Sequence, residues 1–435
     1  MDNFKEVSEN YTLQEAIQEA KRCLHCKVPG CKKACPISND IPDWIGEMAH
    51  GNFGNAMRII HERNNLPAVC GRVCGHERQC QGGCVLGKTG QAIHIGRLER
   101  FISDFEAEAG WSHEDIPMKD RGHIAVIGSG PAGLTIAGDL SRKGFSVDIF
   151  EMEPEPGGVL MYGIPEYRLP KDVVRREIRK IENLGVNIHT NVTIGPDMTI
   201  DGLFDKGYDA IFIGTGTGRP KGLDIEGGDH PGVIQAIDLL RNVTLYQAGA
   251  VPREDIPVKP GDRVGVIGCG NTAMDAARTA VRMGAEVVNI LYHRTIDRMA
   301  ALRTEYEDAL KEGVNFYWKA SVTKVEGGQG DNLNKVTLNI DDATMEMPLT
   351  KLVLAVGQAP AARIVSTTTG IEVDEKGYIL TRDTPYGMST RKGVFAGGDV
   401  TNRPATVVHA MRDAKLVADG IARYVDAVKL MEKIN

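Results

Sequence analysis

The sequence predicts an α/β protein in which a helical, cysteine-rich N-terminal domain precedes two Rossmann-like nucleotide-binding domains. Three observations support this expectation. Eight of the nine cysteines lie in two groups between residues 23 and 84. From Gly122 onward, short Val- and Ile-rich strands alternate with helical segments, as in βαβ units with a mainly parallel sheet. A strand, a glycine-rich turn, a helix and a second strand then occur twice, at about 123–153 and 263–295.

Length, charge and hydropathy exclude several classes of protein. With 435 residues, the chain is long enough for two or three domains. Its net charge of -7, without a basic cluster interleaved with aromatic residues, argues against nucleic-acid binding. No apolar run approaches the ~18 residues that span a bilayer, and the first residues do not form a secretory signal. We therefore expect a cytoplasmic protein, in which disulfides are disfavoured.

The first 110 residues are predicted to be mostly helical, with the cysteines in loops between helices. Thr12 is followed three residues later by Glu15 and then by an apolar stripe, which is the pattern of a capping box. The segment 40–67 is predicted to form two short helices interrupted at Gly51, and 92–110 a longer helix. The polar stretch that follows, 111–122, is predicted to be a linker.

The cysteine spacing favours two 4Fe-4S clusters. The first group has the pattern C-x2-C-x4-C-x3-C-P, close to a bacterial ferredoxin run whose last cysteine ligates a second cluster. The groups are Cys23, Cys26, Cys31 and Cys35, then Cys70, Cys74, Cys80 and Cys84. By count, eight thiolates would fill two such clusters. Structural zinc sites and disulfides are the alternatives, but the second group lacks the C-x2-C knuckle that zinc prefers, and the cytosol disfavours disulfides.

The first glycine-rich turn is predicted to bind the pyrophosphate of a dinucleotide. Gly128 would make the tight turn, Gly130 would let backbone N–H groups approach the phosphates, and Gly133 would permit close helix packing. Glu151 ends the second strand, near the spacing at which an acidic side chain accepts hydrogen bonds from a ribose diol. A glycine-rich turn without a ligand is the alternative.

The second glycine-rich turn differs in ways that bear on the choice of nucleotide. Its third glycine is replaced by Ala273, and His293 and Arg294 stand at the strand end where an acid is expected. Arg294 could pair there with a 2'-phosphate, which favours NADP(H) over NAD(H), although a solvated surface arginine is the alternative. The candidate NAD(P)H-binding residues are Gly268, Gly270, Asn271, Thr272, His293 and Arg294.

The C-terminal segment indicates which dinucleotide the first turn holds. Asp399 follows Gly398 at a strand end, where a carboxylate could bind the ribityl or phosphate oxygens of a cofactor. Thr406 and Val407 are predicted to begin a helix whose positive end would stabilise a reduced flavin. We therefore expect FAD at the first turn. A flavin accepts hydride from NAD(P)H and can pass electrons singly to iron-sulfur clusters.

Several stretches together carry a resemblance to a known family. They are CLHCKVPGCKKACP, CGRVCGHERQCQGGC, IGRLERFISD, GSGPAGL, PGGVLMYGIPEYRLPKDVV, GCGNTAMDAA and GVFAGGDV, in that order. From about Thr12 to its C-terminus, the chain resembles the small (beta) subunit of NADPH-dependent glutamate synthase and its relatives. The same module resembles the N-terminal part of dihydropyrimidine dehydrogenase and the large subunit of ferredoxin-dependent NADP transhydrogenases.

The resemblance implies a crossed assignment of the cluster ligands. One cluster would be held by Cys23, Cys26, Cys31 and Cys84. The other would be held by Cys35, Cys74, Cys80 and Glu99. Dihydropyrimidine dehydrogenase has glutamine in place of Glu99, and Cys70 is left without a cluster. An oxygen ligand on one iron should change the potential of that cluster. The resemblance further implies that Gly158 and Arg168 lie beside the FAD.

The resemblance also implies a function. NAD(P)H would give hydride to FAD, and the two clusters would relay electrons to a partner subunit, such as the large amidotransferase subunit of glutamate synthase, in a hetero-oligomer. Hydride transfer needs no side-chain nucleophile or general base, so no residue is named as catalytic. The predicted domains are an iron-sulfur domain at 1–120, a FAD-binding domain in two segments at 121–240 and 385–435, and an NAD(P)H-binding domain at 241–384.

Three alternatives stay open. A subunit of a transhydrogenase or electron-bifurcating complex would have a partner that itself binds flavin or ferredoxin. The electron-input subunit of a pyrimidine reductase is disfavoured by Glu99. A redox-dead scaffold would bind nucleotides and assemble partners without transferring electrons. The family commonly has two arginines where this chain has His293 and Arg294, and Met-Pro-Ala where it has Met-Ala-Ala at 299–301, which bears on the nucleotide preference.

Overall fold

The chain folds into two compact units, each assembled from several segments. A computed structural model describes residues 2–110, 116–341, 343–361, 363–401 and 406–434. The larger unit consists of Ser8–Met161, Arg168–Gly218 and Ala359–Asn435. The smaller unit consists of Met1–Val7, Tyr162–Tyr167 and Arg219–Gln358.

The N-terminal part of the larger unit is helical, as the sequence predicts. Its helices are α1 (Leu13–Lys21), α2 (Gly30–Ala34), α3 (Ile41–Ala49), α4 (Phe53–His61), α5 (Pro67–Val73) and α6 (Ile95–Ala109). The predicted capping box is confirmed, because Thr12 Oγ1 accepts from Glu15 N at 3.3 Å and a Glu15 carboxylate oxygen accepts from Thr12 N at 2.8 Å. Gly51, with φ of 81°, separates α3 from α4, where the break is predicted.

One apolar core fixes the cysteine loops to these helices. Trp44 of α3 is fully buried in this core, and Phe53 of α4 packs against Phe101 of α6 with ring centroids 6.2 Å apart. Burial of a large apolar side chain contributes roughly 1.5–3 kcal/mol. Cys80 is buried in the same core. The cysteines packed against its surface are Cys23, Cys31, Cys35 and Cys84. The loops are therefore held by the hydrophobic core on which the helices pack.

A seven-stranded sheet forms the rest of the larger unit. Its strands are β1 (Gly122–Ile127), β2 (Phe145–Phe150), β3 (Val186–His189), β4 (Ala210–Ile213), β15 (Thr381–Asp383), β16 (Tyr386–Ser389) and β17 (Val394–Ala396). Their order is β15-β16-β17-β4-β1-β2-β3. The strands from β17 to β3 are parallel, whereas β15 and β16 are antiparallel additions. The parallel strands bring their carboxyl ends, and the turns that follow them, to one edge of the sheet.

Helices cover this sheet. They are α7 (Pro131–Arg142), α8 (Val159–Tyr162), α9 (Lys171–Glu182), α10 (Ile200–Asp205), α14 (Arg363–Ser366) and α15 (Val407–Ile434). The long helix α15 packs along α7, and α5 of the helical part packs against α9. In the described part of the chain, no helix has a stretch that is long and apolar enough to cross a membrane.

Polar contacts join the helical part to the sheet part within the larger unit. Asn65 Nδ2 donates to Asp139 Oδ1 at 2.8 Å. Glu106 accepts from His61 at 2.9 Å and from Lys180 at 2.6 Å. Burial by itself would raise the pKa of Glu106, but the hydrogen bonds and charges of these two partners lower it to about 2. The carboxylate is therefore ionised at neutral pH and holds α4, α6 and α9 together.

The smaller unit contains the second nucleotide-binding pattern. Its strands are β5 (Arg219–Pro220), β6 (Val233–Gln235), β7 (Arg263–Ile267), β8 (Val287–Tyr292), β9 (Asn315–Trp318), β10 (Ala320–Gly327), β11 (Leu333–Ile340), β12 (Ala343–Met347), β13 (Lys351–Leu354) and β14 (Gln358–Ala359). Its helices are α11 (Ala236–Gln247), α12 (Asn271–Arg282) and α13 (Arg303–Lys311). A parallel sheet has the order β6-β13-β7-β8-β9, and an antiparallel sheet the order β10-β11-β12.

The two short segments of the smaller unit pack on α12. Tyr167 is fully buried, and its ring lies 6.3 Å from that of Phe4. The Arg282 guanidinium lies 3.8 Å from the centre of the Tyr167 ring, a cation–π contact. Arg282 Nε also donates to the carbonyl of Asn3 at 2.8 Å. These contacts explain why residues 1–7 belong to a unit distant in sequence.

The unit boundaries differ from the domain boundaries that the sequence predicts at 240 and 384. Strand β6 lies before the first predicted boundary, yet it pairs with β13 in the sheet of the smaller unit. Strand β15 lies before the second, yet it pairs with β16 in the sheet of the larger unit. Such short edge strands carry little periodicity, so only their hydrogen bonds reveal the sheet to which they belong. The predicted linker at 111–122 lies partly outside the described residues.

Candidate cofactor sites

Cysteines from both groups meet at one pocket of the helical part, here called the outer site. The cysteines that line it are Cys23, Cys26, Cys31 and Cys84. Each of the four is partly exposed, and apolar side chains such as Ile45 and Ile93 complete the lining. These four cysteines are the set that the family resemblance implies. They come from both sequence groups, whereas an assignment of one cluster to each group would not combine Cys84 with the other three.

The outer site offers the ligand number of a 4Fe-4S cluster. Four sulfurs spread around an apolar pocket match the four thiolates of a 4Fe-4S cluster. Burial raises the pKa of Cys31 to about 11, so the thiolate there needs a bound metal to stabilise it.

A second group, here called the inner site, consists of Cys35, Cys74, Cys80 and Glu99. Burial raises the pKa of Cys35 to about 11, and the negative charge of Glu99 contributes to this rise. Burial is the main cause of the raised pKa of Cys80, and the charge of Glu99 adds to it. A hydrogen bond with Cys70 and burial are the main causes of the raised pKa of Cys74, and the charge of Glu99 contributes there too. The charge of Glu99 thus acts on all three thiols, and Cys70 also acts on Cys35 and Cys74.

Glu99 is a carboxylate in an apolar setting. It lies on α6 with 7% of its surface exposed, and burial raises its pKa to about 7. Asn64 Nδ2 donates to Glu99 Oε1 at 2.9 Å and thereby fixes the carboxylate. A buried carboxylate near three thiols favours a positive group that neutralises them. Asn64 belongs to no motif in the sequence, so sequence reasoning did not select it.

Cys70 borders the inner site, since it is hydrogen-bonded to Cys74, and it also has partners outside that site. Its buried thiol donates to Asn64 Oδ1 at 3.6 Å and lies 3.7 Å from Met411 Sδ on α15. A cysteine engaged in this way behaves as a small core side chain. That Cys70 holds no iron stays a prediction.

The inner site is close both to the outer site and to the sheet part of the larger unit. Burial and the charges of Glu99 and Cys35 are the larger causes of the raised pKa of Cys80, and Cys31 of the outer site adds a smaller contribution. On the other side, Cys74 is hydrogen-bonded to Cys70, which touches Met411 of α15. These contacts place the inner site between the outer site and α15.

The first glycine-rich turn has the geometry of a phosphate site. Gly128 has φ of 93°, which glycine tolerates, and a Cβ on Gly133 would lie 1.9 Å from the Gly128 carbonyl oxygen. Gly130 is the N-cap of α7, and a Cβ there would meet nothing within 4 Å. The N-terminus of α7 thus faces open space, as binding of a pyrophosphate requires.

Glu151 is held beside this turn by backbone and side-chain donors. Its Oε2 accepts from Ser129 N at 2.9 Å and from Ser129 Oγ at 2.5 Å, and its Oε1 accepts from Glu153 N at 2.9 Å. Ser129 Oγ also accepts from Gly157 N at 2.9 Å. A carboxylate has about four acceptor positions, so Glu151 retains capacity for a ribose diol. Sequence reasoning missed Ser129, because its role depends on this fold of the loop.

Two other predicted flavin residues lie against the same turn. A Cβ on Gly158, where φ is 53°, would be 2.9 Å from Gly130 Cα. A Cβ on Gly398, where φ is 74°, would be 2.9 Å from Ala132 Cβ in the first turn of α7. Arg168 is half-buried between α8 and α9. The structure therefore brings Gly158 and Gly398 to the first turn of α7, and the role of Arg168 beside FAD stays a prediction.

Asp399 and the start of α15 complete the predicted flavin residues. Burial, together with the nearby charge of Asp413, raises the pKa of Asp399 to about 6. A carboxylate with this pKa gains from ligand hydroxyls that donate to it. Helix α15 begins at Val407, as predicted, and Thr406 Oγ1 lies 2.6 Å from His409 Nδ1 in its first turn.

The second glycine-rich turn repeats the geometry of the first. Gly268 has φ of 126°, and a Cβ on Gly270 would meet nothing within 4 Å at the N-terminus of α12. Asn271 Oδ1 accepts from Leu302 N at 2.9 Å, so this side chain fixes a neighbouring loop. Thr272 is exposed. Of the predicted residues, Gly270 faces open space, Gly268 lies against the Ala355 carbonyl, and Asn271 has a structural partner.

His293 and Arg294 stand at the carboxyl end of β8. Both side chains are exposed, and Arg294 Nε donates to His293 Nε2 at 3.0 Å. The rest of the Arg294 guanidinium is exposed at this strand end, where a ligand could reach it.

Family comparisons agree with this division of the chain. Residues 1–111 match the model described as dihydropyrimidine dehydrogenase domain II, 4Fe-4S cluster. Residues 122–414 match the model described as pyridine nucleotide-disulphide oxidoreductase. The first match covers both cysteine groups, and the second covers both glycine-rich turns.

Similar curated proteins span nearly the whole chain. The glutamate synthase (NADPH) small chain of Halomonas elongata is 36% identical over 443 residues, covering 97% of this chain and 93% of that protein. The corresponding protein of Escherichia coli strain K12 is 33% identical over 446 residues, with 97% and 94% coverage. The NAD-dependent dihydropyrimidine dehydrogenase subunit PreT of the same strain is 34% identical over 424 residues, with 97% coverage of each chain.

Solved structures with a similar fold cover about 70% of this chain. Lactococcus lactis thioredoxin reductase has a TM-score of 0.55 and 23% identity, covering 70% of this chain and 99% of that one. Mycobacterium tuberculosis FprA in complex with NADPH has a TM-score of 0.58 and 20% identity, covering 72% and 86%. At this identity the likeness establishes the fold alone.

Proposed function

Because this chain belongs to the family of glutamate synthase small chains and related oxidoreductase subunits, we propose that it is the electron-input subunit of a glutamate synthase-like complex. It is an oxidoreductase that uses FAD, 4Fe-4S clusters and NAD(P)H. The proposal adds a partner, a large amidotransferase subunit, and names the residues of this chain that hold each cofactor.

One observation supports the proposal: the cysteines of the outer and inner sites lie between α15 of the sheet part and the surface. The inner site is linked through Cys70 to Met411 of α15, the helix that packs along α7. The cysteines of the outer site are partly exposed, and one of them, Cys31, contributes to the raised pKa of Cys80 in the inner site. An arrangement of this kind supports electron transfer outward, to an acceptor on another protein.

The residues of the chain bind and orient the cofactors. The N-terminus of α7 and the open space at Gly130 would receive the pyrophosphate of FAD, and Glu151 would accept hydrogen bonds from the ribose hydroxyls. Asp399 would accept hydrogen bonds from hydroxyls of the ribityl chain. When bound, FAD supplies the means to take two electrons from NAD(P)H and to release them singly. Asn64 holds Glu99 in position, ready to serve as an oxygen ligand.

A pyrimidine reductase subunit is the second candidate, because PreT is nearly as similar to this chain as the glutamate synthase small chains are. Glu99 favours the first candidate, since the resemblance associates glutamine at this position with dihydropyrimidine dehydrogenase. The two proposals differ in the substrate of the partner subunit, which makes them separable by experiment.

The complex purified from its native source is expected to oxidise NADPH when 2-oxoglutarate and glutamine are both supplied, and to form glutamate. The measurement is NADPH absorbance under anaerobic conditions, with product analysis. Uracil in place of these substrates, and this chain without its partner, are the controls and should give no substrate-dependent oxidation. Oxidation with uracil alone would reject the amidotransferase partner and support the pyrimidine reductase.

We propose that Arg294 selects NADPH by pairing with its 2'-phosphate. A charge-assisted hydrogen bond of this kind is worth on the order of 1.5 to 3 kcal/mol, or roughly tenfold to a hundredfold in KM. Arg294→Ala is expected to raise KM for NADPH by that factor and to leave KM for NADH nearly unchanged. Stopped-flow flavin reduction with each nucleotide measures both effects.

Arg382→Ala is the matched control for this prediction, because it removes an exposed guanidinium from β15 of the larger unit. It should change neither KM. If the wild type already reacts faster with NADH, or if Arg294→Ala weakens both nucleotides equally, Arg294 is a structural charge and the chain does not prefer NADPH.

A further inference from the structure

Exposed apolar side chains surround the outer site. Leu24 is 59% exposed, Val28 is 83% exposed and Val85 is 45% exposed. Leu24 and Val85 also line the pocket of the outer site, each next in sequence to one of its cysteines. Single exposed apolar residues are ordinary, but a group of them around one redox site is typical of an interaction surface.

The same surface is basic in a chain whose net charge is -7. The two segments that supply the outer cysteines, 20–38 and 79–98, contain Lys and Arg but no Asp or Glu. Their exposed lysines without an ion-pair partner among the described residues are Lys21, Lys27, Lys33 and Lys88. This concentration of unpaired positive charge contrasts with the overall acidity of the protein.

The two acids that border the first segment already have cationic partners. Glu19 forms an ion pair with Arg22 at 2.7 Å, and it is largely buried. Asp40 is paired with Lys32. Each carboxylate at the border of the first segment therefore has its own cation, and the charge of the four unpaired lysines remains available to a partner.

A depression of about 540 Å³ lies beside the outer site. It is bordered by Val85, Lys88 and the backbone of a glycine-rich loop, and it shares Cys84 with the pocket of the outer site. Glu77 also borders it, with Arg78 Nε 3.8 Å from its carboxylate. A partner side chain that enters this depression would come close to Cys84.

We propose that this outer-site face, formed by Leu24, Lys27, Val28, Lys33, Val85 and Lys88, docks the protein that receives the electrons, and that this protein presents an acidic surface around an apolar centre. The inference rests on the proposed function, in which electrons leave through the outer site. Apolar contacts at the centre exclude water, while charge complementarity speeds association and selects the partner.

A pair of haem proteins of opposite charge tests the proposal, namely acidic cytochrome b5 and basic cytochrome c. Each NADPH reduces two ferric haems to ferrous and releases NADP+ and one proton. The test variant is Lys27→Glu/Lys33→Glu/Lys88→Glu. The matched control is Lys206→Glu/Lys376→Glu/Lys392→Glu, which reverses three exposed lysines of the sheet part. Both variants are first required to keep the iron and flavin content of the wild type.

The test variant is expected to reduce cytochrome b5 about tenfold more slowly at low ionic strength, and to bind it with a dissociation constant raised by a similar factor. Its reaction with cytochrome c should become faster. These differences should largely vanish near 1 M salt, where the Debye length is about 3 Å. The control variant should stay within about twofold of the wild type with both carriers.

Equal effects of the two variants, or tighter binding of cytochrome c than of cytochrome b5 by the wild type, would overturn the proposed docking surface. Failure of the proposed function gives a different result, because NADPH would then reduce the flavin of the wild type without reducing either haem protein. The dissociation constants are measured without NADPH. They therefore decide whether the surface is basic and specific even in that case.

Discussion

Cys74→Ser is expected to remove one of two iron-sulfur clusters and to stop electron transfer beyond the flavin. The variant should contain about four irons per chain where the wild type contains about eight, because the inner site loses one of its three sulfurs. Reduction of the flavin by NADPH should continue, whereas reduction of a protein acceptor should fall on the order of a hundredfold, since the relay is interrupted. Iron analysis, electron paramagnetic resonance and acceptor assays measure these effects.

Cys70→Ser is the matched control, because it changes a buried cysteine of the same sequence group by the same single atom. Cys70 donates to Asn64 and touches Met411, so we expect its replacement to leave both clusters in place. If the two variants lost the same amount of iron, the clusters would be held by the eight cysteines, and Glu99 would not be a ligand.

Gly130→Ala is expected to release FAD without destabilising the protein. Gly130 has φ of -68°, which suits alanine, and a Cβ there would meet nothing within 4 Å. The added methyl group would occupy the space through which the pyrophosphate approaches the helix N-terminus. A loss on the order of 2 to 3 kcal/mol corresponds to roughly 30- to 150-fold weaker binding. Titration of the apoprotein with FAD, and thermal unfolding of the same sample, measure the two quantities.

Gly270→Ala provides the control, because it makes the same change at the second glycine-rich turn, where φ is -98° and a Cβ is also unobstructed. We expect this variant to keep FAD and to bind NAD(P)H more weakly. The opposite result would be that Gly130→Ala binds FAD with unchanged affinity while Gly270→Ala loses FAD. FAD would then be assigned to the second glycine-rich turn and NAD(P)H to the first.

Local features of this protein could be predicted from the sequence because they depend on residues close together in the chain. The capping box of Thr12 and Glu15 requires four consecutive residues, and the turn at Gly128 requires a backbone conformation that glycine adopts readily. The start of α15 at Val407 was equally predictable. Each is set by local hydrogen bonds or dihedral angles rather than by the tertiary fold.

The composition of the cysteine sites could not be predicted from spacing. Spacing alone associates Cys84 with its own sequence group, whereas the fold brings it to the pocket of Cys23 and Cys26. That meeting depends on helices packed around a common core. Only the family resemblance suggested the crossed set, and the roles of these residues as ligands stay predictions.

Residues that support the sites were missed for a related physical reason. Asn64 fixes Glu99, which lies 35 positions further along the chain, and Ser129 connects Glu151 to Gly157. Asn64 lies outside every motif, and Ser129 occupies the position between Gly128 and Gly130 that the glycine-rich motif leaves open. Their importance comes from burial beside a carboxylate, and burial of this kind follows from tertiary packing.

The cofactor content of protein purified without oxygen tests the central claim most directly. Two four-iron sites and one flavin site predict about eight irons, about eight acid-labile sulfides and one FAD per chain. The sample should be yellow-brown, and NADPH should bleach the flavin band. About four irons per chain, or zinc in a stoichiometric amount, would contradict the assignment of the outer and inner sites.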